Sequence, residues 1–217
     1  MMRLILGVMA FEGVLLALLL GVAGRWNLPW VWGMCGLHGV GMLGYMHAMG
    51  PELMRERFRP AGVEHHRWLR LALIPQLLMH LVTVGLDLRF NWSGEVSPLV
   101  RAAGLGLMAL ALMLAVWCIR TNRFFSSVVR IQSDRGHHVI TTGPYRYVRH
   151  PGYLGMFAAA VGGAIALGSW WSLLPLLPVA LVLARRAYCE EQLLLRSLEG
   201  YADYAQSVRY RLLPGVW

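Results

Sequence analysis

The chain has 217 residues, of which 57% are hydrophobic and only 14% charged, and its mean hydropathy is +0.51. Soluble domains carry about 25% charged residues, so this composition excludes an ordinary soluble domain and indicates a single-unit integral membrane protein. The formal charge of +9 rests on twenty arginines and no lysine. These are scattered through loops between apolar spans, which fits positive-inside topology and argues against a nucleic-acid surface.

The first apolar span covers residues 4–23. It is longer than the apolar region of a signal peptide, about 7–15 residues, and is read as a retained membrane helix. Glu12 interrupts it, and an acidic residue in a span is a functional or pairing candidate. A second span, residues 30–49, is rich in glycine and carries His38 and His47, each of which either touches substrate or bonds another helix. Residues 51–70 form a polar loop with Arg55, Arg57, Arg59, Arg67 and Arg70. The third span, residues 71–88, places Gln76, His80, Thr83 and Asp87 on one helical face. Such a stripe turns toward the bundle interior, either as a cavity wall or as inter-helix bonding.

The fourth span runs over residues 99–119. An apolar hairpin follows at residues 153–184, broken at Gly168-Ser169, with arms of about fifteen residues and with Pro175 and Pro178 expected to kink the second arm. The tail, residues 185–217, is polar and expected to be helical as far as Leu198. Cys35, Cys118 and Cys189 lie far apart and indicate neither disulfides nor zinc. The expected fold is therefore an all-α integral membrane protein with four full spans plus a C-terminal hairpin, five to six spans in all. Residues 1–119 carry the four helices and residues 120–217 the site, within one structural unit.

The arginines fix an expected orientation. Arg3, five in residues 50–70, six in residues 120–150 and five in the tail make seventeen on one side, against Arg25, Arg89 and Arg101 on the other. That bias places both termini and the loop of residues 120–150 in the cytoplasm.

Within that loop residues 137–155 read HHVITTGPYRYVRHPGYLG, the most polar stretch of the chain. Gly143-Pro144 and His150-Pro151 force extended or turned backbone, because the residue before proline is pushed out of the helical region. The tail adds Arg186 and Glu190, four apart and so on one helical face, with Glu191 beside them. Carboxylate and guanidinium together suit an amine, a ribose hydroxyl, a carboxylate or a phosphate. Tyr145, Tyr147 and Tyr153 can stack on a purine or lie against a cation. No Ser–His–Asp set and no metal-type cluster is present. The residue chemistry alone reaches a charged cytosolic ligand meeting something dissolved in the bilayer.

The run HxVxTxGPYxxVRHPxYxG, then an apolar hairpin, then RxxxEE and a YxxY tail, resembles the isoprenylcysteine carboxyl methyltransferase family, relatives of the integral-membrane phospholipid methyltransferases. The resemblance spans residues 120–217. It implies S-adenosylmethionine held by loop and tail without a Rossmann domain, and a lipophilic acceptor (carboxylate, amine or thiol) entering sideways from the bilayer. Carried over by motif, His137, His138, Val139, Ile140, Tyr145, His150, Pro151, Gly152, Tyr153, Glu190 and Glu191 would bind the cofactor, and Arg186 and Arg149 would be catalytic, Arg186 facing the acceptor. No metal is implied. The glutamine that the family places before the first histidine is replaced by Arg130, with Gln132 nearby. The competing functions are a membrane-embedded NADPH-dependent sterol-type reductase and a small transporter or lipid-binding protein.

Overall fold

The computed structural model describes residues 2–58 and 67–217. Its helices are α1 (Met2–Ala23), α2 (Pro29–Ala48), α3 (Pro51–Phe58), α4 (Arg67–Phe90), α5 (Pro98–Thr121), α6 (Pro151–Leu167), α7 (Leu176–Ser197) and α8 (Tyr201–Ser207). No strand occurs among the described residues. Arg59 lies outside them, as do the side chains of Arg3 and Arg67.

Helix starts follow the prolines. Pro29, Pro98 and Pro151 each sit in a first turn, where a missing N–H leaves no bond unmade. Ser97 adds a cap to α5, its side chain accepting from Val100 N at 3.4 Å. α1, α4, α5 and the stretch Trp171–Ser197 are long and apolar enough to cross a membrane, α2 has 20 residues and α6 has 17. The chain is an all-α integral membrane protein.

Two local expectations are corrected. Pro175 is the residue preceding α7 and Pro178 lies in its first turn, where the backbone donors are free anyway, so neither interrupts the helix. Residues 51–58 are not loop but the short helix α3.

α5 and α6 meet backbone to backbone. A Cβ added at Gly104 would come 2.3 Å from Ala166 N, and one at Gly162 would come 2.7 Å from Met108 N. In lipid, where burying apolar surface gains nothing over the acyl chains, such small-residue contact is what drives helix association. A second cluster joins α4 and α7 through Leu73, Leu176, Val179 and Leu183.

Several polar residues of the spans bond between helices. His38 Nδ1 and Glu12 Oε1 lie 2.6 Å apart, tying α2 to α1. His80 Nδ1 donates to Ser172 O at 2.8 Å. Asp87 accepts from Ser93 N at 2.8 Å, Ser93 Oγ at 2.5 Å and Ser169 Oγ at 2.6 Å. Buried polar groups need such partners, and for His80 and Asp87 the stripe on α4 resolves into inter-helix bonding.

Candidate functional site

The motif loop leaves α5 at Asn122 and enters α6 at Pro151, closing one end of the bundle. Its entry is pinned by α3. Glu56, 4% exposed, accepts from Arg130 Nε and Nη2, both at 2.7 Å, and Arg130 Nη1 reaches Asp134 Oδ1 at 2.8 Å. The bond from Glu56, then that from Asp134, raises the pKa of the already charged Arg130 further. Arg135 Nη2 and Arg123 Nη2 each donate to the other residue's carbonyl, at 2.8 and 3.0 Å. Gln132 is 1% exposed and donates to Phe124 O at 2.7 Å. Phe124 in turn carries His137 and His138, with ring centroids at 4.5 and 4.9 Å.

The loop's exit is pinned by the tail. Arg149 N donates to Tyr210 O at 3.0 Å and His150 N to Arg211 O at 2.8 Å. Arg149 Nη2 meets Glu191 Oε1 at 2.6 Å, and its Nη1 donates to the carbonyls of Ala205, Val208 and Arg209. Glu191 Oε2 accepts from Arg211 Nε. Glu191 is 2% exposed, so both of its oxygens are consumed by arginines inside the protein. Tyr145 belongs to a separate buried cluster with Tyr201 and Tyr204, where Tyr204 Oη donates to Tyr145 O at 2.7 Å; Val139 and Ile140 pack against it. Burial pushes the Tyr145 and Tyr201 hydroxyls above their ordinary range.

Between these two fastenings lies an open constellation. Tyr153 Oη donates to Glu190 Oε2 at 2.6 Å and accepts from Arg186 Nε at 2.9 Å. Arg186 Nη2 also donates to Ser127 O, leaving Nη1 unengaged among the described residues. His150 stacks on Tyr153 with ring centroids 5.8 Å apart, and its Nε2 is buried without a partner. Burial pushes the His137 pKa down to about 4 and lowers that of His150, while the Glu190 charge pulls both back upward. Both rings are neutral at pH 7. Pro151 is fully buried beneath them, and a Cβ at Gly152 would come 2.5 Å from the Phe125 ring.

The structure thus brings His150, Tyr153, Arg186 and Glu190 together, with the Glu190 charge reaching His137. It places Arg149 and Glu191 in the tail fastening and Tyr145 in the aromatic cluster. Sequence reasoning missed Glu56, Ser127 O, Arg211 and Tyr204. Glu56 had one weak signal, an acid flanked by Arg55 and Arg57 in an arginine-rich segment; the carbonyl of Ser127 had none.

The open constellation suits a ligand with hydroxyl, amine and aromatic parts. Among the described residues Glu190 Oε1 has no hydrogen-bond partner, and no backbone hydrogen bond engages the amides of residues 138–141. Unpaired main-chain and carboxylate groups beside an unpartnered buried imidazole are what a nucleoside carrying an amino acid would satisfy.

Residues 99–199 match the phospholipid methyltransferase family. A rice protein (Oryza sativa subsp. indica) named probable protein-S-isoprenylcysteine O-methyltransferase is 36% identical over 97 residues, 42% of this chain and 48% of that protein. A protein-S-isoprenylcysteine O-methyltransferase of Schizosaccharomyces pombe is 38% identical over 56 residues, 26% of this chain and 24% of that protein. Over the aligned stretch this chain is similar to isoprenylcysteine O-methyltransferases. The aligned stretch spans about half the length of the rice relative, or less for the yeast one. The fold likeness reaches further. The solved structure of the eukaryotic intramembrane Ras methyltransferase ICMT (isoprenylcysteine carboxyl methyltransferase), without a monobody, aligns with a TM-score of 0.59 at 23% identity over 95% of this chain and 75% of that chain. The N-terminal helices therefore share an architecture where the sequence match has stopped.

Proposed function

We propose that this chain is a membrane-embedded methyltransferase that uses S-adenosylmethionine to methylate a lipophilic carboxylate. Residues 120–217 hold the donor and residues 1–119 complete the bundle through which the acceptor reaches it. The observation that carries this reading is the Tyr153–Glu190–Arg186 constellation, a free carboxylate oxygen beside a free guanidinium nitrogen, at the end of an apolar bundle.

Bound here, S-adenosylmethionine supplies an electrophilic methyl group. Glu190 Oε1 would take a hydroxyl or the ammonium of that ligand, the main chain of residues 138–141 its base, and His150 Nε2 a further polar group. Tyr153 fixes Glu190 and Arg186 relative to each other, so donor-binding and acceptor-facing groups share one rigid bridge. Arg186 Nη1 would orient an incoming carboxylate. A carboxylate is ionised at neutral pH and attacks without a base, so the neutral His137 and His150 have no proton to remove. An acceptor of the isoprenylcysteine kind, acted on by the named relatives, is the natural first trial. Three of the loop arginines that a nicotinamide phosphate could use are already engaged: Arg130 with Glu56 and Asp134, Arg123 and Arg135 with each other's carbonyls.

The test is calorimetric binding of S-adenosylmethionine to the detergent-purified chain, with Glu190→Gln and Tyr153→Ala alongside. Micromolar binding lost in both variants supports the site, and labelled methyl transfer to an isoprenylcysteine supports the acceptor. A folded wild type that binds NADPH and not S-adenosylmethionine would overturn the proposal.

A further inference from the structure

The three arginines outside the basic side of the chain converge on the opposite end of the bundle. Arg25 and Arg101 line a crevice of about 170 Å³ with Trp30, Asp87, Asn91 and Leu167, and Arg89 lies beside its edge at Gly24. Three links build it: that from α1 to α2, that from α4 to α5, and the turn after α6. The Asp87 carboxylate locks the last two together, holding Ser93 and Ser169 while Ser93 Oγ accepts from Trp170 N at 2.8 Å.

The crevice holds two guanidinium groups against the single carboxylate of Asp87 among its lining residues. Arg25 Nη2 donates to Leu88 O at 2.6 Å. Arg101 Nη1 donates to Leu167 O at 2.7 Å, its Nε to Val96 O at 3.3 Å, and its guanidinium lies over the Trp30 ring at 5.9 Å. Among the described residues none of Arg25, Arg89 and Arg101 pairs with a carboxylate, whereas the charges at the motif end are paired repeatedly. Asp87 offsets only one of the two crevice charges, and its oxygens point to Ser93 and Ser169 rather than to a guanidinium. Two forked cations held on carbonyls and facing one crevice present the geometry that phosphate oxygens fit.

The surroundings name the source. Trp26, Trp32, Phe90, Trp92 and Trp171 are at least half exposed around this end. A ring of exposed tryptophans marks the depth of lipid headgroups. The crevice floor is apolar through Leu28, Val31 and Leu88.

We propose that Arg25 and Arg101 bind the phosphate of an anionic lipid from the leaflet opposite the motif loop, at a site separate from methyl transfer. Bound there, the headgroup would join the three links and stabilise the bundle by mass action.

The test is thermal unfolding of the detergent-purified full chain, titrated with short-chain phosphatidylglycerol, short-chain phosphatidylcholine or inorganic phosphate, in wild type, Arg25→Gln and Arg101→Gln. The expected result is a saturable rise in midpoint with phosphatidylglycerol, far weaker with phosphatidylcholine, and an apparent Kd raised about tenfold or more in each variant. Arg25 is exposed and holds one carbonyl, so its variant keeps the fold if Arg101→Gln does not. An equal rise with inorganic phosphate supports the phosphate site and assigns it to the free anion. Equal response to both lipids, or unchanged titration in Arg25→Gln, would overturn the proposal. Binding of S-adenosylmethionine in Arg25→Gln stays at the wild-type level in every supporting case, so failure here is distinct from failure of the methyltransferase reading.

Discussion

The Tyr153 hydroxyl gives its proton to Glu190 Oε2 at 2.6 Å while receiving the Nε–H of Arg186 at 2.9 Å. One phenol therefore sets the spacing of a carboxylate and a guanidinium on α7. Tyr153→Phe removes both bonds and leaves the ring stacked on His150. Hydrogen bonds to charged groups contribute about 1.5–3 kcal/mol to stability, so the unfolding midpoint is expected to fall, and the Kd for S-adenosylmethionine, with Glu190 no longer held in place, to rise about tenfold or more. Calorimetry and a thermal scan on the same preparation check it; unchanged affinity would remove Tyr153 from the site.

Arg149 and Glu191 form a buried pair, 7% and 2% exposed, that also gathers Arg211 and three tail carbonyls. Removing one member strands the other, which costs about 3–5 kcal/mol. Glu191→Met, which leaves Arg149 without a carboxylate, is expected to lower the unfolding midpoint sharply, and Arg149→Met, which leaves Glu191 its Arg211 partner, to lower it less. Arg149→Met with Glu191→Met together should cost less than the two singles added, since neither charge is left alone. Additive losses would show that the two side chains act independently.

The α5–α6 seam tolerates no side chain. Gly104→Val would drive atoms into the Ala166 and Gly162 backbone, and overpacking of this kind costs about 1–3 kcal/mol even where neighbours can yield. Gly163 is the control, since a Cβ there meets nothing within 4 Å. Gly104→Val should lose the monodisperse detergent-solubilised peak in size-exclusion chromatography, and Gly163→Ala should keep it.

His137 supplies a pH signature. Burial lowers its folded pKa to about 4 from 6.5, so the unfolded chain binds the extra proton first as pH falls. The stability that its neutral ring contributes is complete above about 6.5 and is lost progressively down to about 4. His150, lowered for the same reason, adds to the loss. The unfolding midpoint of wild type is expected to fall between pH 6.5 and 4.5, and that of His137→Gln to fall less steeply. Parallel curves would show that the ring is solvated.

The spans were legible because apolar runs of twenty residues have few other uses, and the site was legible where one helix carries its chemistry: Arg186 and Glu190 are four apart on α7. The role of Glu191 was not, because adjacent helical residues point about 100° apart, and only the tail's path shows that Arg149 and Arg211 claim it. The prolines of α7 misled, since proline breaks a helix interior but suits its first turn, and sequence alone did not fix the start. Glu56 lay too far along the chain to be paired with Arg130 by spacing.

α6 spans only 17 residues, about 25 Å of helix, against a hydrocarbon slab about 30 Å deep. Its glycine seam fastens it to the longer α5, so it cannot tilt or slide independently to make up the difference. α6 is therefore about 5 Å shorter than the slab is deep, and the motif loop runs directly into its start at Pro151. On the proposed function, an anchored acceptor would meet the site near its own depth in the bilayer.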